Sequence, residues 1–306
     1  MASPITTSLP DYVAKGQDEL ISKAALGART LDYIRIQTGV KTVEPIHLLD
    51  TDVEFGDGST CGFVEAGNQT MTDRNIATGQ IKVNLTYCDK NMLGKWAEHK
   101  VRIAANGEEL PFEEYFVNGV IEDIKGKLDK AIWQGDTASE DENLNKFDGF
   151  LKIAAADVNV IKPTVSGTTY QKLRAVKQAI PAAAKKNAVI FVGNEVFEMF
   201  IDDLVDANLY HHRADATAGE YTFPASTVKV VAVGGLDGTN KTLAGDPNKM
   251  FYGTDLADGN EVFKLWFSDD DDLWKLKVNW NSGVQYAFSD EIVYAALVTE
   301  GEEDEL

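Results

Sequence analysis

The most regular pattern in the chain lies between residues 110 and 134. Phe112, Phe116, Val120, Ile124, Leu128 and Ala131 recur every three to four positions there. Glu113, Glu114, Glu122, Asp123, Lys125, Lys127, Asp129 and Lys130 fill mostly other faces. That spacing predicts an amphipathic helix. About 25 residues at ~1.5 Å each would make a rod of roughly 37 Å. Gly119 and Gly126 inside it each cost about 1 kcal/mol relative to alanine, so packing has to hold it. Gly135 is a natural stop.

A different period governs residues 43–87, which are rich in Thr, Val, Gly, Asp and Asn. Ile81, Val83, Leu85 and Tyr87 alternate with polar residues, the period of a half-buried strand. Gly56-Asp57-Gly58-Ser59 and Gly67-Asn68 are turn signals. The segment is expected to be a long β-hairpin with a polar tip. An isolated hairpin is marginal in water, so it is expected to pack on something else, another subunit included. The C-terminal part is also β. A strand over 261–267 and an acidic turn over 269–272 precede Trp274, Leu276, Val278 and Trp280, which alternate with Lys275, Lys277, Asn279 and Asn281. Ser282-Gly283 predicts a turn, with Val284, Tyr286 and Phe288 returning and a last apolar segment at 292–298.

Between these regions the period changes again. Thr168-Thr169-Tyr170-Gln171 is a capping-box pattern opening a helix with Leu173, Val176, Ala179 and Ile180, which Pro181 ends. Residues 188–192 read as a buried strand, and Asn194 caps a helix carrying Phe197, Phe200, Ile201 and Leu204. Strands at 228–233 and 250–252 complete an α/β lobe. Residues 14–36 carry a weak helical pattern, 92–101 a short helix and 147–153 an apolar entry.

Charge narrows the functional classes. The formal net charge is −20, from 49 acids against 29 bases. Such a chain repels a phosphate backbone over most of its surface, which argues against a nucleic-acid-wrapping protein. Cys61 and Cys88 do not make a disulfide framework. The first ten residues lack a signal-peptide pattern, and no apolar stretch approaches the roughly 20 residues of a membrane helix. The histidines are His47, His99, His211 and His212, with no HExxH. His211 and His212 near Asp203, Asp206, Asp215 and Glu220 are the best metal grouping, yet adjacent ligands at a helix end seldom converge. Residues 269–272 and 50–54 lack the glycine of a calcium loop. No dinucleotide, P-loop or nucleophile-elbow motif occurs. No catalytic, cofactor-binding or metal residue is therefore expected, and the remaining signals are architectural.

Their order resembles the major capsid proteins of tailed bacteriophages, the Hong Kong ninety-seven-type capsid fold that encapsulins share. Residues 43–87 look like the family's extended E-loop, and 110–134 like the spine helix of its peripheral (P) domain. Trp133-Gln134-Gly135-Asp136 followed by Phe147-Asp148-Gly149-Phe150-Leu151 is similar to the exit from that helix. Residues 188–206 look like a strand-to-helix step of the axial (A) domain, and Phe251-Tyr252-Gly253-Thr254-Asp255 like the return to the P domain. Trp280-Asn281-Ser282-Gly283-Val284 through Phe288 resembles the closing P-domain hairpin. The resemblance implies an α+β capsid fold divided into an N-terminal arm (1–42), an E-loop (43–87), a P domain (88–150 and 261–298), an A domain (151–260) and an acidic tail (299–306). It implies a non-enzymatic subunit forming pentamers and hexamers of a DNA-enclosing head. Scaffolding, portal and decoration proteins would be partners, and assembly would take place in the bacterial cytoplasm. The acidic surface then suits a wall that does not adhere to packed DNA. Assembly contacts are expected at Phe55, Asp57, Phe63, Arg74, Ile76, Glu113, Lys127, Asp237 and Asn240. Some members cross-link through an E-loop lysine, but no lysine lies between Val43 and Ile81, so no covalent chainmail is expected. An encapsulin-like compartment, or an enzyme or binding protein of another kind, are the alternatives.

Overall fold

The computed structural model describes residues 12–55, 59, 68–88, 95, 112–208, 214–215, 219–255 and 262–297. From the N-terminus come α1 (Gln17–Ala25), β1 (Arg35–Thr38), β2 (Val43–Asp52), β3 (Asn68–Ala77) and β4 (Gly79–Cys88). The long helix α2 (Phe112–Gln134) precedes α3 (Phe150–Ala156), α4 (Thr169–Ala179), β5 (Val189–Val192) and α5 (Asn194–Asp206). The remaining strands are β6 (Ala214–Asp215), β7 (Glu220–Thr222), β8 (Lys229–Ala232), β9 (Lys241–Gly245), β10 (Met250–Thr254), β11 (Val262–Ser268), β12 (Leu273–Tyr286) and β13 (Val293–Ala296).

One rod serves two cores. The first part of α2 turns Val117, Val120, Ile121 and Ile124 onto Phe263, Leu265, Trp274, Leu276, Val278 and Trp280 of a five-stranded sheet, with α1 packed alongside. The second part turns Leu128, Ala131, Ile132 and Trp133 into a core shared with Phe191, Val231 and Leu243 of a six-stranded sheet and with Val233 just past β8. Gly119 and Gly126 face open space, and the packed stripe on the other side holds the helix across them. At its end Gly135 and Gly149 pass backbone to backbone, with Gly149 N–H donating to Gly135 O at 2.8 Å. A Cβ on Gly135 would lie 2.6 Å from Ala131 O and 2.5 Å from Phe147 O. Lys152 then bridges Asp136 (2.7 Å) and Asp148 (2.6 Å) across that exit.

The alternation at 273–280 does what a half-buried strand requires: Trp274, Leu276, Val278 and Trp280 are buried and their neighbours are not. β12 pairs antiparallel with β4 over Leu273–Ser282, with β11 over Leu273–Asn279 and with β10 over Ser282–Tyr286. β1 adds to β10 in parallel. In the six-stranded sheet the order is β13-β9-β5-β8-β7-β6, and β5 is buried at all four positions, which explains its unbroken apolar run. α4 and α5 cover one face through Leu173, Val176, Val196, Phe197, Phe200 and Leu204. Thr168 and Gln171 form the expected capping box on α4.

Several expectations are corrected. No turn occurs at Ser282-Gly283: β12 runs straight through, and Gly283 is needed because a Cβ there would sit 2.1 Å from Ala77 O. The hairpin spans 43–77, formed by β2 and β3 alone, while β4 leaves it to join the main sheet. β10 lies in the five-stranded sheet and β13 in the six-stranded one, so strand pairing crosses the boundary expected near residue 260. The apolar entry at 147–153 contains a helix, α3, and the weak N-terminal pattern resolves into α1, a 3-10 turn (Arg29–Asp32) and β1. The helix expected at 92–101 lies outside the described residues.

The hairpin is anchored at its base. Ile46 and Ile76 are buried with Val40, Phe251 and Ala287. The Arg74 guanidinium pairs with Asp157 at 2.7 Å and lies 4.3 Å from the centroid of the Tyr286 ring. The Tyr286 hydroxyl donates to the same carboxylate at 3.1 Å. Burial pushes the Tyr286 phenol up, so it stays protonated and donating. Burial alone would raise the Asp157 carboxyl, but the bonds from Arg74, the Asn159 N–H and Tyr286 outweigh it and hold the group below its usual value.

Two predictions follow from this packing. Asp129→Ala strands the amides of Thr30 and Gly235, which now donate to its carboxylate at 3.1 and 2.7 Å. At about 1–3 kcal/mol per buried donor, urea unfolding should show a loss of about 2–6 kcal/mol. A carboxyl whose pKa is lowered on folding stabilises above its unfolded value of about 3.9 and stops doing so as pH falls through the lower folded one. The stability gap between wild type and Asp157→Asn should therefore hold steady down to roughly pH 5 and shrink below it. A gap that widens on acidification would contradict the anchor.

Candidate assembly interface

Beyond its base the hairpin carries apolar side chains that its own chain does not cover. β2 and β3 pair through ten residues each, Val43 opposite Ala77 to Asp52 opposite Asn68, as a sheet of their own. Phe55, past the end of β2, is completely exposed, and Met71 (78%) and Val53 (67%) are nearly so. Val43 and Leu49 are more than half exposed. The arm is thus anchored where it leaves the body and, among the described residues, exposed farther out. Fully burying a large apolar side chain contributes about 1.5–3 kcal/mol, so this surface is a standing source of binding free energy.

A groove of about 300 Å³ lies on the body between α2 and β4. Its apolar lining includes Ile81, Val83, Leu85, Tyr87, Val120 and Ile124, with Lys127 and Asp123 also on its wall. Tyr87 meets Phe116 edge-on with centroids 5.0 Å apart. Burial and the nearby Asp123 carboxylate push the Tyr87 phenol above its usual value, so it remains neutral. The groove has an apolar floor with charged residues such as Lys82, Asp123, Lys127, Glu142 and Lys146 on its walls and is partly enclosed, of a size for a side chain or extended segment.

The nine residues expected at contacts are dispersed. Phe55 is at the exposed end of β2, and Lys127 borders the groove. Arg74 and Ile76 serve the chain's own interior: Ile76 is fully buried and Arg74 is committed to Asp157. Asp237 caps α5, accepting from Asn194 N at 2.6 Å and Asn194 Nδ2 at 2.9 Å. Asn240 holds a positive φ of 48°, and its carbonyl accepts from Leu297 N at 2.7 Å. Glu113 lies in α2, its side chain outside the described residues, as are Asp57 and Phe63. Sequence reading missed Asp157 and Tyr286, the partners of Arg74. Their signal is three-dimensional, since Arg74 is 83 residues from Asp157. His47 pairs with Asp73 at 2.7 Å, while His99, His211 and His212 are outside the described residues. Among the described residues no three His, Cys, Asp or Glu side chains are placed to hold a metal, and no helix is long and apolar enough to cross a membrane.

No protein-family model matches the chain, and no curated protein matches its sequence. Solved structures do match in shape. A chain of the satellite phage P4 procapsid with its size determination protein superposes with a TM-score of 0.63 at 12% identity, over 98% of this chain and 93% of that one. A chain of the capsid of an empty GTA particle gives 0.55 at 11% identity, over 94% and 98%. A chain of a virus-like particle from Pyrococcus furiosus gives 0.52 at 9% identity, over 93% and 99%. With its mixed helices and sheets matched nearly end to end, the chain has the phage major-capsid-protein fold of the Hong Kong ninety-seven type.

Proposed function

We propose that this chain is the repeating subunit of a closed protein shell, the head of a tailed bacteriophage enclosing double-stranded DNA. The observation that carries the reading is the anchored arm: a hairpin held rigidly at Arg74 and Ile76 and bearing exposed Val53, Phe55 and Met71. A lone protomer has no use for such a surface, because extended exposed apolar patches promote association. In a shell the arm of one copy lies on the next, and the groove between α2 and β4 is a fitting receiver. In this reading α2 with the five-stranded sheet forms the P domain, the six-stranded sheet with α4 and α5 forms the A domain, and 43–77 is the E-loop. Copies close into rings of five and six, with separate scaffolding, portal and decoration proteins as partners, in the host cytoplasm. The net charge of −20 suits a wall that leaves packed DNA free. The reading assigns no chemistry to the chain.

A second reading, an encapsulin-like compartment, is a closed shell that the same fold would serve equally. Nuclease-resistant DNA inside purified particles separates the two.

The direct test is negative-stain microscopy of the expressed protein: closed particles are expected, and a monodisperse monomer under all assembly conditions would refute the shell. Phe55→Ser removes one exposed anchor at no cost to the monomer. It should leave the melting temperature unchanged and lower the assembled fraction by about tenfold, equivalent to ~1.4 kcal/mol per contact. Denaturing gels of mature particles should show single chains, since no lysine lies between Val43 and Ile81. A ladder of covalent multimers would overturn that expectation.

A further inference from the structure

The lobe built on the six-stranded sheet keeps its charges apart. In one place Lys177 of α4 stands with Lys185 and Lys186 around the turn at 225–227, lining an open hollow. Thr227 Oγ1 donates to Lys185 O at 3.1 Å, tying the turn to that segment. Lys177 Nζ is 4.7 Å from the centroid of the Phe223 ring. Burial and the cationic neighbours Lys185 and Arg174 push the Lys177 ammonium below its usual value, so like charges are crowded here. None of Arg174, Lys177, Lys185 and Lys186 has an ion pair among the described residues. Lys177 sits in the last turn of α4, where a cation suits the helix dipole, but Lys185 and Lys186 lie outside any helix. An unpaired cationic cluster is unexpected in a chain with 20 excess negative charges.

The opposite charge is on α5. Glu195, Glu198, Asp202 and Asp206 are exposed along it, interleaved with Met199 and Val205, each 53% exposed. These six positions fall on one side of the helix. The last turn of α5 contains no basic residue, so Asp206 stands at the negative end of the helix dipole, an unfavourable place that an outside cation would relieve. Arg29 borders a hollow on this side with Glu198 and Asp202, and also bonds Tyr33. None of the four acids has an ion pair among the described residues.

We propose that the acidic α5 face of one copy docks on the Arg174–Lys177–Lys185–Lys186 cluster of the next, as the head-to-tail contact that closes the rings of the shell. The inference rests on the shell reading and names the surfaces that carry it. Each surface repels its own kind, so a two-fold contact through either is disfavoured. A complementary pair on one chain is what a heterologous, ring-closing contact needs. Met199 and Val205 supply an apolar centre, and the charges fix register and reject wrong partners.

The test uses charge reversals at solvent-accessible positions of the full chain. Arg174→Glu/Lys185→Glu/Lys186→Glu leaves one cation against three acids in the cluster, so both surfaces are acidic, and Glu195→Lys/Glu198→Lys/Asp202→Lys leaves one acid against three cations on α5, so both are basic. Each alone should lower the ring or shell fraction in sedimentation velocity by about tenfold or more. An equimolar mixture should recover association to within about twofold, because acidic and basic copies then alternate. Alternation closes only even-membered rings, so microscopy should show six-fold rings without five-fold ones. Wild-type assembly by both variants would overturn the proposal. So would a mixture that stays unassembled although both variants melt like wild type. Normal shells of Arg174→Glu/Lys185→Glu/Lys186→Glu that have merely lost nucleic acid would assign the cluster to a polyanion instead. If wild type forms no shells but the mixed variants still associate, the shell reading falls and the contact stands.

Discussion

Asp129 is buried on α2 with no ion pair among the described residues, and its two oxygens accept from two different parts of the chain. A carboxylate removed from water is costly unless its lone pairs are met. Here they are met by the backbone amides of Thr30 and Gly235, 99 and 106 residues away. Moving either turn would leave a buried carboxyl oxygen without its hydrogen bond, so the N-terminal segment, the rod and the six-stranded sheet are held in one arrangement. Trp133, one turn further along, repeats the constraint by other means. Its Nε1 donates to Thr30 Oγ1 at 2.7 Å, and its ring lies 5.4 Å from Phe150 and 5.1 Å from Phe191. Gly235 is glycine because a Cβ there would sit 2.2 Å from Asp129 O and 2.4 Å from Trp133 Cδ1.

That rigidity gives the arm its meaning. Because the body is over-determined, the hairpin leaves it in a defined direction, fixed by Arg74 and Ile76 and not by its own weak pairing. Its five exposed apolar residues, Val43, Leu49, Val53, Phe55 and Met71, together represent burial worth on the order of ten kcal/mol. Association costs roughly 4–15 kcal/mol in lost rigid-body freedom, so one arm on one neighbour is close to neutral. In the proposed shell, where every copy both gives and receives an arm, closure would turn near-neutral contacts into a stable object.

The readable parts of the sequence were those where one period governs one element. The stripe from Phe116 to Ala131, the alternation from Trp274 to Trp280 and the capping box at Thr168 each specify their structure locally, and the folded chain has all three. The misread parts were those decided between elements. Ser282-Gly283 has the chemistry of a turn, yet Gly283 is small because Ala77 passes over it. Ile76 and Arg74 looked like arm residues because they lie in the arm's sequence, but the interior claims both. Asp129 looked like one more solvated charge on α2. Only the approach of two distant turns makes it the pivot, and no spacing along one chain encodes that approach.

Charge completes the physical picture. Copies carrying −20 each repel one another, and within a Debye length of about 8–10 Å at physiological salt that repulsion opposes any close contact that is not locally complementary. Apolar arms alone would then act indiscriminately, since burial has no direction. A subunit that must meet its sister in one orientation needs places where the general repulsion changes sign. The cations gathered around residues 225–227 are such a place, and the acids of α5 are its natural counterpart. In the proposed shell, general repulsion with one local exception would exclude wrong encounters while the hairpin supplied the adhesion, so specificity and affinity would come from different parts of the same chain.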